Sequence, residues 1–260
     1  MITINLDDSY EADVSFLEEY YPYEYGAWLV NVPLPDRPPL GGGIHYKLLN
    51  YLANLYEGAT ILDAGTHVGM SCMALANSPN KVITYEINGG YGIQKWCRGL
   101  RQKNPDGTLT ENDGWRPAFM GATETGVGKY ANTTFKLLDV NKETDENLKK
   151  VDFIFLDIDL HDGIQEAKLF ATLRRIGYKG IVVADDIHLN EGMRDWWSSI
   201  PERKWDVTKY GHGSGTGLVD FGNIKEVIGE TTLTKEERNV FFGAAVDEEG
   251  NCLYSFLGGC

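Results

Sequence analysis

Basic charge is scarce in this chain. Against 38 acidic side chains it carries 24 Lys and Arg, a formal net charge of −14. A nucleic-acid backbone or an anionic membrane would be repelled, so neither is an expected partner. No Lys/Arg run builds a basic groove against that trend. Cysteine is scarcer still. Cys72, Cys97, Cys252 and Cys260 lie far apart with no CxxC pair, which suits reduced thiols in a cytoplasmic protein better than a disulfide framework or a zinc site. Long hydrophobic runs are missing too, and none approaches the length that crosses a bilayer. The opening residues, MITINLDDSYEADVS, lack a basic segment followed by an apolar one, so no secretory signal is expected there. Internal repeats, low-complexity tracts and domain linkers are also absent. What is present is a chain of 260 residues, 42% hydrophobic, sized for one large domain spanning 1–260.

Within it, the apolar pattern is regular from residue 59 to residue 221. ATILDAG, KVITYE, TFKLLDV, VDFIFLD and GIVVADD read as short strands, apolar on both faces. VGMSCMALANS, YGIQKWCRGLRQK, KETDENLKK, GIQEAKLFATLRRIG and EGMRDWWSSI read as helices between them. The fourth ends at Gly177, and the last sets Met193, Trp196, Trp197 and Ile200 at i, i+3, i+4, i+7. KWDVTKY and TGLVDF read as closing strands joined through GHGSG. A further helix precedes the first strand, with Leu48, Leu49, Leu52 and Leu55 on one face. The expected fold is α/β: a Rossmann-like, doubly wound seven-stranded sheet, mostly parallel with a closing antiparallel strand.

Around this 59–221 core, residues 1–43 form an aromatic, Pro-rich N-terminal segment. Its Tyr20, Tyr21, Tyr23, Tyr25 and Trp28 suit either a lid or packing onto the core. An insertion over 104–134 suits a lobe over the site or an oligomer contact, which leaves a homo-oligomer open. A C-terminal extension covers 222–260, with a capping box starting a helix at Thr234.

In such sheets ligands bind beyond the carboxyl ends of the strands. The first strand runs into LDAGTHVGMS, where Gly65 and Gly69 let backbone approach a ligand. The spacing is G-x-x-x-G after an acid, not the GxGxxG of a dinucleotide site. It suits a ligand carrying an amine and a carboxylate. The second strand ends in Glu86, placed to accept hydrogen bonds from ribose hydroxyls. These residues and the order of elements resemble the class I S-adenosylmethionine-dependent methyltransferases. The resemblance implies that Asp63, Gly65, Thr66, Gly69 and Ser71 hold the methionine part of the donor, Glu86 its ribose, and Asp139 its adenine.

Two strands end on acids: VDFIFLDIDLHDG, with Asp157, Asp159, His161 and Asp162, and GIVVADDIH, with Asp185 and Asp186. Carboxylates converging on one sheet edge repel unless one holds a proton or a hard cation sits among them. The pattern LDIDLHDG…GIVVADDI resembles the metal-dependent O-methyltransferases, nearest the macrocin and aminocoumarin sugar branch. That resemblance implies Mg2+ or Mn2+ on Asp157, Asp185 and Asp186, with Asp159 as general base. It also implies an acceptor that is a hydroxylated small molecule, a sugar or vicinal diol. Catechol O-methyltransferase is a more distant likeness, whose base is a Lys soon after the first acid. Leu160 stands there, and His161 is the next polar candidate for the base. Asp162 with Gln165 after it reads as a helix cap. His188 stays in the site's neighbourhood. His212, in the glycine-rich 211–217, suits a hairpin better than an anion nest. Two other functions remain open: a metal-independent methyltransferase on an amine or carboxylate, and a non-catalytic cofactor-binding subunit.

Overall fold

Strands whose residues are apolar on both faces must be covered on both, and the chain is arranged accordingly. The computed structural model describes residues 1–17, 32–34, 37–40, 42–66, 69–87, 101–103, 109–111, 130–158, 160–211 and 214–231. In order these hold β1 (Ile2–Asn5), β2 (Val32–Leu34), β3 (Arg37–Leu40), α1 (Gly42–Asn54), β4 (Thr60–Ala64), α2 (Met70–Ala76) and β5 (Lys81–Glu86). Next come β6 (Arg101–Lys103), β7 (Leu109–Glu111), β8 (Thr133–Leu137), α3 (Asp145–Leu148), β9 (Phe153–Leu156) and α4 (Ile164–Ile176). The last are β10 (Ile181–Asp185), α5 (Glu191–Ser199), β11 (Arg203–Asp206), β12 (Thr216–Asp220) and β13 (Ile224–Ile228).

The central sheet has seven strands in the order β8-β5-β4-β9-β10-β12-β11. From β8 to β10 all neighbours run parallel, and β12 runs antiparallel to both β10 and β11. This is the doubly wound, Rossmann-like sheet expected from the sequence. Alternation along each strand divides the core in two. Ile61, Phe153, Phe155 and Val183 face a layer with Leu48, Leu49 and Leu52 of α1 and Met73 of α2. Leu62, Ile154, Leu156 and Val182 face Leu169, Phe170 and Leu173 of α4 and Met193, Trp196 and Trp197 of α5.

Several local signals hold as read. Gly177 ends α4 in the left-handed region at φ 69°, while the Tyr178 amide reaches back to the Leu173 carbonyl at 2.9 Å. Asp162 caps the start of α4, accepting from the Ile164 amide at 2.8 Å. Two features differ. Of the helix expected over 91–103, residues 101–103 instead pair as a strand with β7, and 91–100 lie outside the described residues. The N-terminal strand β1 pairs in parallel with β13, which ties residues 2–5 to the segment following the sheet. The Tyr20–Trp28 aromatic cluster, the body of the insertion and the helix from Thr234 lie outside the described residues. Among the described residues no helix is long and apolar enough to cross a membrane.

One polar cluster secures the β5–β8 edge. Glu143 Oε2 accepts from Lys136 Nζ at 2.6 Å and Tyr85 Oη at 2.7 Å, and Oε1 accepts from Asn147 Nδ2 at 2.9 Å. Burial pushes this carboxyl up, but bonds from Lys136, Asn147, the Thr144 amide and Tyr85 outweigh it and hold it down at about 2. A carboxyl depressed on folding stabilises the fold above its unfolded value, 4.5, and loses that contribution as pH falls toward 2. Glu143→Gln is therefore expected to cost about 1–2 kcal/mol at pH 7 in urea unfolding. The difference from the wild-type chain should shrink through the window from about pH 4.5 to about pH 2.

Candidate active site

Strand register sets the site. Ala64 of β4 lies beside Tyr85 of β5 on one side and Leu156 of β9 on the other, and Leu156 lies beside Ala184 of β10. One residue further out, Gly65, Glu86, Asp157 and Asp185 therefore form a row along the carboxyl edge. The order of the sheet reverses between β4 and β9, and such a switch point opens a crevice. The ends are stitched together there. Gly65 and Thr66 amides both donate to the Tyr85 carbonyl at 3.0 Å, and the Asp157 amide donates to the Ala64 carbonyl at 2.8 Å.

Gly65 is required by two facts at once. Its φ is +102°, and a Cβ there would overlap the Asp157 carbonyl oxygen. Gly69, at φ 93°, turns the chain into α2, its amide donating to the Thr66 carbonyl at 2.7 Å. Beneath this loop lie three of the other residues expected to meet the donor. Asp63 is fully buried and accepts from Thr84 Oγ1 at 2.6 Å. Burial drives its carboxyl up to about 7 against hydrogen bonds from Thr84 and Ser71. Thr66 is buried with its hydroxyl on that of Thr84, and Ser71 sits in the first turn of α2. Glu86 stands at the edge itself, where Oε1 accepts from the Ile87 amide at 2.8 Å. Asp139 caps the turn Val140–Lys142, accepting from the Asn141 amide at 2.9 Å, with Lys142 Nζ 4.0 Å away.

The acids after β9 and β10 come together with one difference from the sequence expectation. Asp157, His161 and Asp186 present ligand atoms that all lie within 4.8 Å of one another. His161 Nδ1 is 3.4 Å from Asp186 Oδ2, and both side chains are largely buried. Asp185 is directed elsewhere. Its Oδ2 lies 4.0 Å from His45 Nε2, and its Oδ1 accepts from Thr216 Oγ1 at 3.4 Å. Backbone conformation explains the split. Asp185 completes the strand, whereas Asp186 turns to φ +58°. Leu160 at +83° and His161 at +41° are the other non-glycine residues in that region among those described. Strain of this kind persists only where surroundings impose it.

Those surroundings can be named. Asn190 Nδ2 donates to the His161 carbonyl at 2.6 Å, and the Ser214 hydroxyl donates to Asp186 Oδ1. The loop after β9 also touches the first turn of α5 through paired glycines, since a Cβ at Gly192 would stand 2.5 Å from the Asp162 carbonyl oxygen. His188 is held on Asp206 at 2.7 Å. Glu166, buried in the first turn of α4, has no side-chain donor among the described residues, and burial raises its carboxyl against its own backbone amide and the attraction of His161. Asp159 and His212 lie outside the described residues.

His45 and Tyr46, absent from the sequence-based site, reach it from the first turns of α1. The Tyr46 hydroxyl is pushed up by burial and then by the charges of Asp157, Asp185 and Asp63. The only sequence signal for this was a His-Tyr pair at the start of a helix preceding the glycine loop.

Ligands on opposite sides of a small divalent cation stand roughly 4–5 Å apart, so the trio Asp157, His161 and Asp186 fits such an ion in spacing and donor type.

No protein-family model matches the sequence, and no curated protein sequence matches it. Solved structures do resemble the fold. An O-methyltransferase from Bacillus cereus in complex with SAH is 16% identical, covering 83% of this chain and 98% of its own, at a TM-score of 0.44. The O-methyltransferase TomG from Streptomyces achromogenes, involved in tomaymycin synthesis and solved with SAM, is 15% identical. It covers 84% of this chain and 97% of its own at 0.44. A methyltransferase from Geobacter sulfurreducens is 14% identical, covering 80% of this chain and 89% of its own at 0.43. With TM-scores below 0.5, the functional reading rests on the site's own geometry.

Proposed function

We propose that this chain is an S-adenosylmethionine-dependent O-methyltransferase acting on a hydroxyl of a small molecule, a sugar or vicinal diol, beside a divalent cation. The observation that carries this reading is Asp157. Its backbone packs against Gly65 of the glycine loop, and its side chain belongs to the cation trio. A donor site and a cation site that share one residue put a methyl group and a chelated acceptor within reach of each other.

Gly65, Gly69 and Glu86 would hold the donor, and Asp157 and Asp186 the cation. A cation there supplies Lewis acidity that lowers the pKa of an acceptor hydroxyl. Asp159 or His161 takes the hydroxyl proton. Overall a C–O bond forms, the donor's C–S bond breaks, and S-adenosylhomocysteine leaves with the methyl ether. Asp63, Thr66 and Ser71 support the loop from below, and the donor's ammonium group would favour the ionised form of Asp63 against its burial.

Calorimetric titration tests the donor assignment. S-adenosylhomocysteine should bind one site, and Glu86→Ala should weaken it at least roughly tenfold through loss of charge-assisted ribose hydrogen bonds. Equal affinity in the variant removes Glu86 from the site. NAD binding of comparable strength contradicts the donor assignment altogether.

A further inference from the structure

We infer that the cation's third protein ligand is the imidazole of His161 and not the carboxylate of Asp185, so that the site favours borderline divalent ions over Mg2+. This rests on the proposed cation site and specifies its chemistry. Asp157, His161 and Asp186 converge within 4.8 Å, while Asp185 faces His45 and Thr216. His161 is held in that place by contacts outside the trio. Asn190 grips its carbonyl at 2.6 Å, and its backbone sits in the left-handed region at +41° opposite Asp186 at +58°. Gly163 and Gly192 bring the loop after β9 into backbone contact with the start of α5.

Ligand type then decides the ion. Carboxylate and water oxygens suit Mg2+, whereas an imidazole nitrogen adds affinity for Mn2+, Co2+ and Zn2+ and little for Mg2+. With two carboxylates and one imidazole, this trio leaves three positions of an octahedron for water or a chelating diol. A histidine committed to the ion cannot also serve as base, which leaves that role to Asp159.

The test uses the full chain, metal salts alone, and no turnover. His161→Asp is the informative variant, because aspartate tolerates the left-handed backbone and still offers a ligand. In the wild-type chain, pulsed electron paramagnetic resonance of bound Mn2+ should show coupling to a directly coordinated nitrogen. In His161→Asp that coupling should vanish, and the ratio of Co2+ to Mg2+ affinity should fall by at least roughly tenfold. Asp185→Asn should retain the coupling and keep Co2+ affinity within about threefold. Nitrogen coupling that persists in His161→Asp, or an unchanged affinity ratio, overturns the assignment of His161 while leaving the cation site intact. Co2+ affinity unaltered in Asp186→Asn would instead remove the cation from this trio and contradict the proposed site as well.

Discussion

Gly65→Ala is expected to weaken S-adenosylhomocysteine binding at least a hundredfold and to cost roughly 2–5 kcal/mol of stability. Two independent penalties coincide at this residue. Its φ of +102° is one that L side chains rarely adopt, and the added methyl would overlap the Asp157 carbonyl oxygen. That oxygen is backbone at the end of a central strand, so no side-chain rotation relieves the overlap. Either β4 and β9 separate at their carboxyl ends, or the glycine loop moves off the Tyr85 carbonyl that now receives two of its amides. Both distort the row that carries Glu86 and Asp157. Gly58 supplies the control, since its φ is +72° with nothing within 4 Å of an added Cβ. Gly58→Ala should cost only about 1 kcal/mol and leave donor binding unchanged. Urea unfolding and calorimetry of the two variants separate backbone strain from the contact. Equal donor affinity in Gly65→Ala and Gly58→Ala would mean that the loop does not cradle the donor.

Much of this arrangement was legible in the residues. The centres of VDFIFLD and GIVVADD, FIFL and IVVA, are apolar and buried at every position because both faces are covered. That property places them in the middle of a parallel sheet. Parallel register then dictates that Gly65, Glu86, Asp157 and Asp185 share one edge. The sequence could not resolve which of two adjacent acids turns toward the site. Asp185 and Asp186 are equivalent as letters, and the choice depends on a left-handed backbone at Asp186 imposed by contacts with Ser214 and the loop after β9. For the same reason His161 read as a loop residue or a base. Its meeting with Asp186 depends on Asn190, far along the chain, gripping its carbonyl. The parallel pairing of β1 with β13 carried no local signal either, because two short strands separated by more than 200 residues are matched only by the finished fold. His45 was hidden in an amphipathic helix whose apolar stripe explained itself without a site.

Removing the cation should eliminate methyl transfer while sparing the donor. With EDTA present, turnover on a vicinal-diol acceptor is expected to fall by a hundredfold or more, on the order of the loss seen when a general acid–base or Lewis-acid contribution disappears. S-adenosylhomocysteine affinity should change little, because Gly65, Gly69 and Glu86 make no use of the ion. Asp186→Asn should reproduce the loss without the chelator. Asparagine keeps the left-handed backbone and nearly the same shape, so the variant removes charge and ligand strength alone. The measurement that bears most directly on metal-assisted methyl transfer is therefore mass-spectrometric detection of the methylated diol from S-adenosylmethionine. It is made on one preparation before EDTA, after EDTA, and after Mn2+ is restored. Product that appears, disappears and returns in that sequence is the predicted result, and full product formation in EDTA would contradict it.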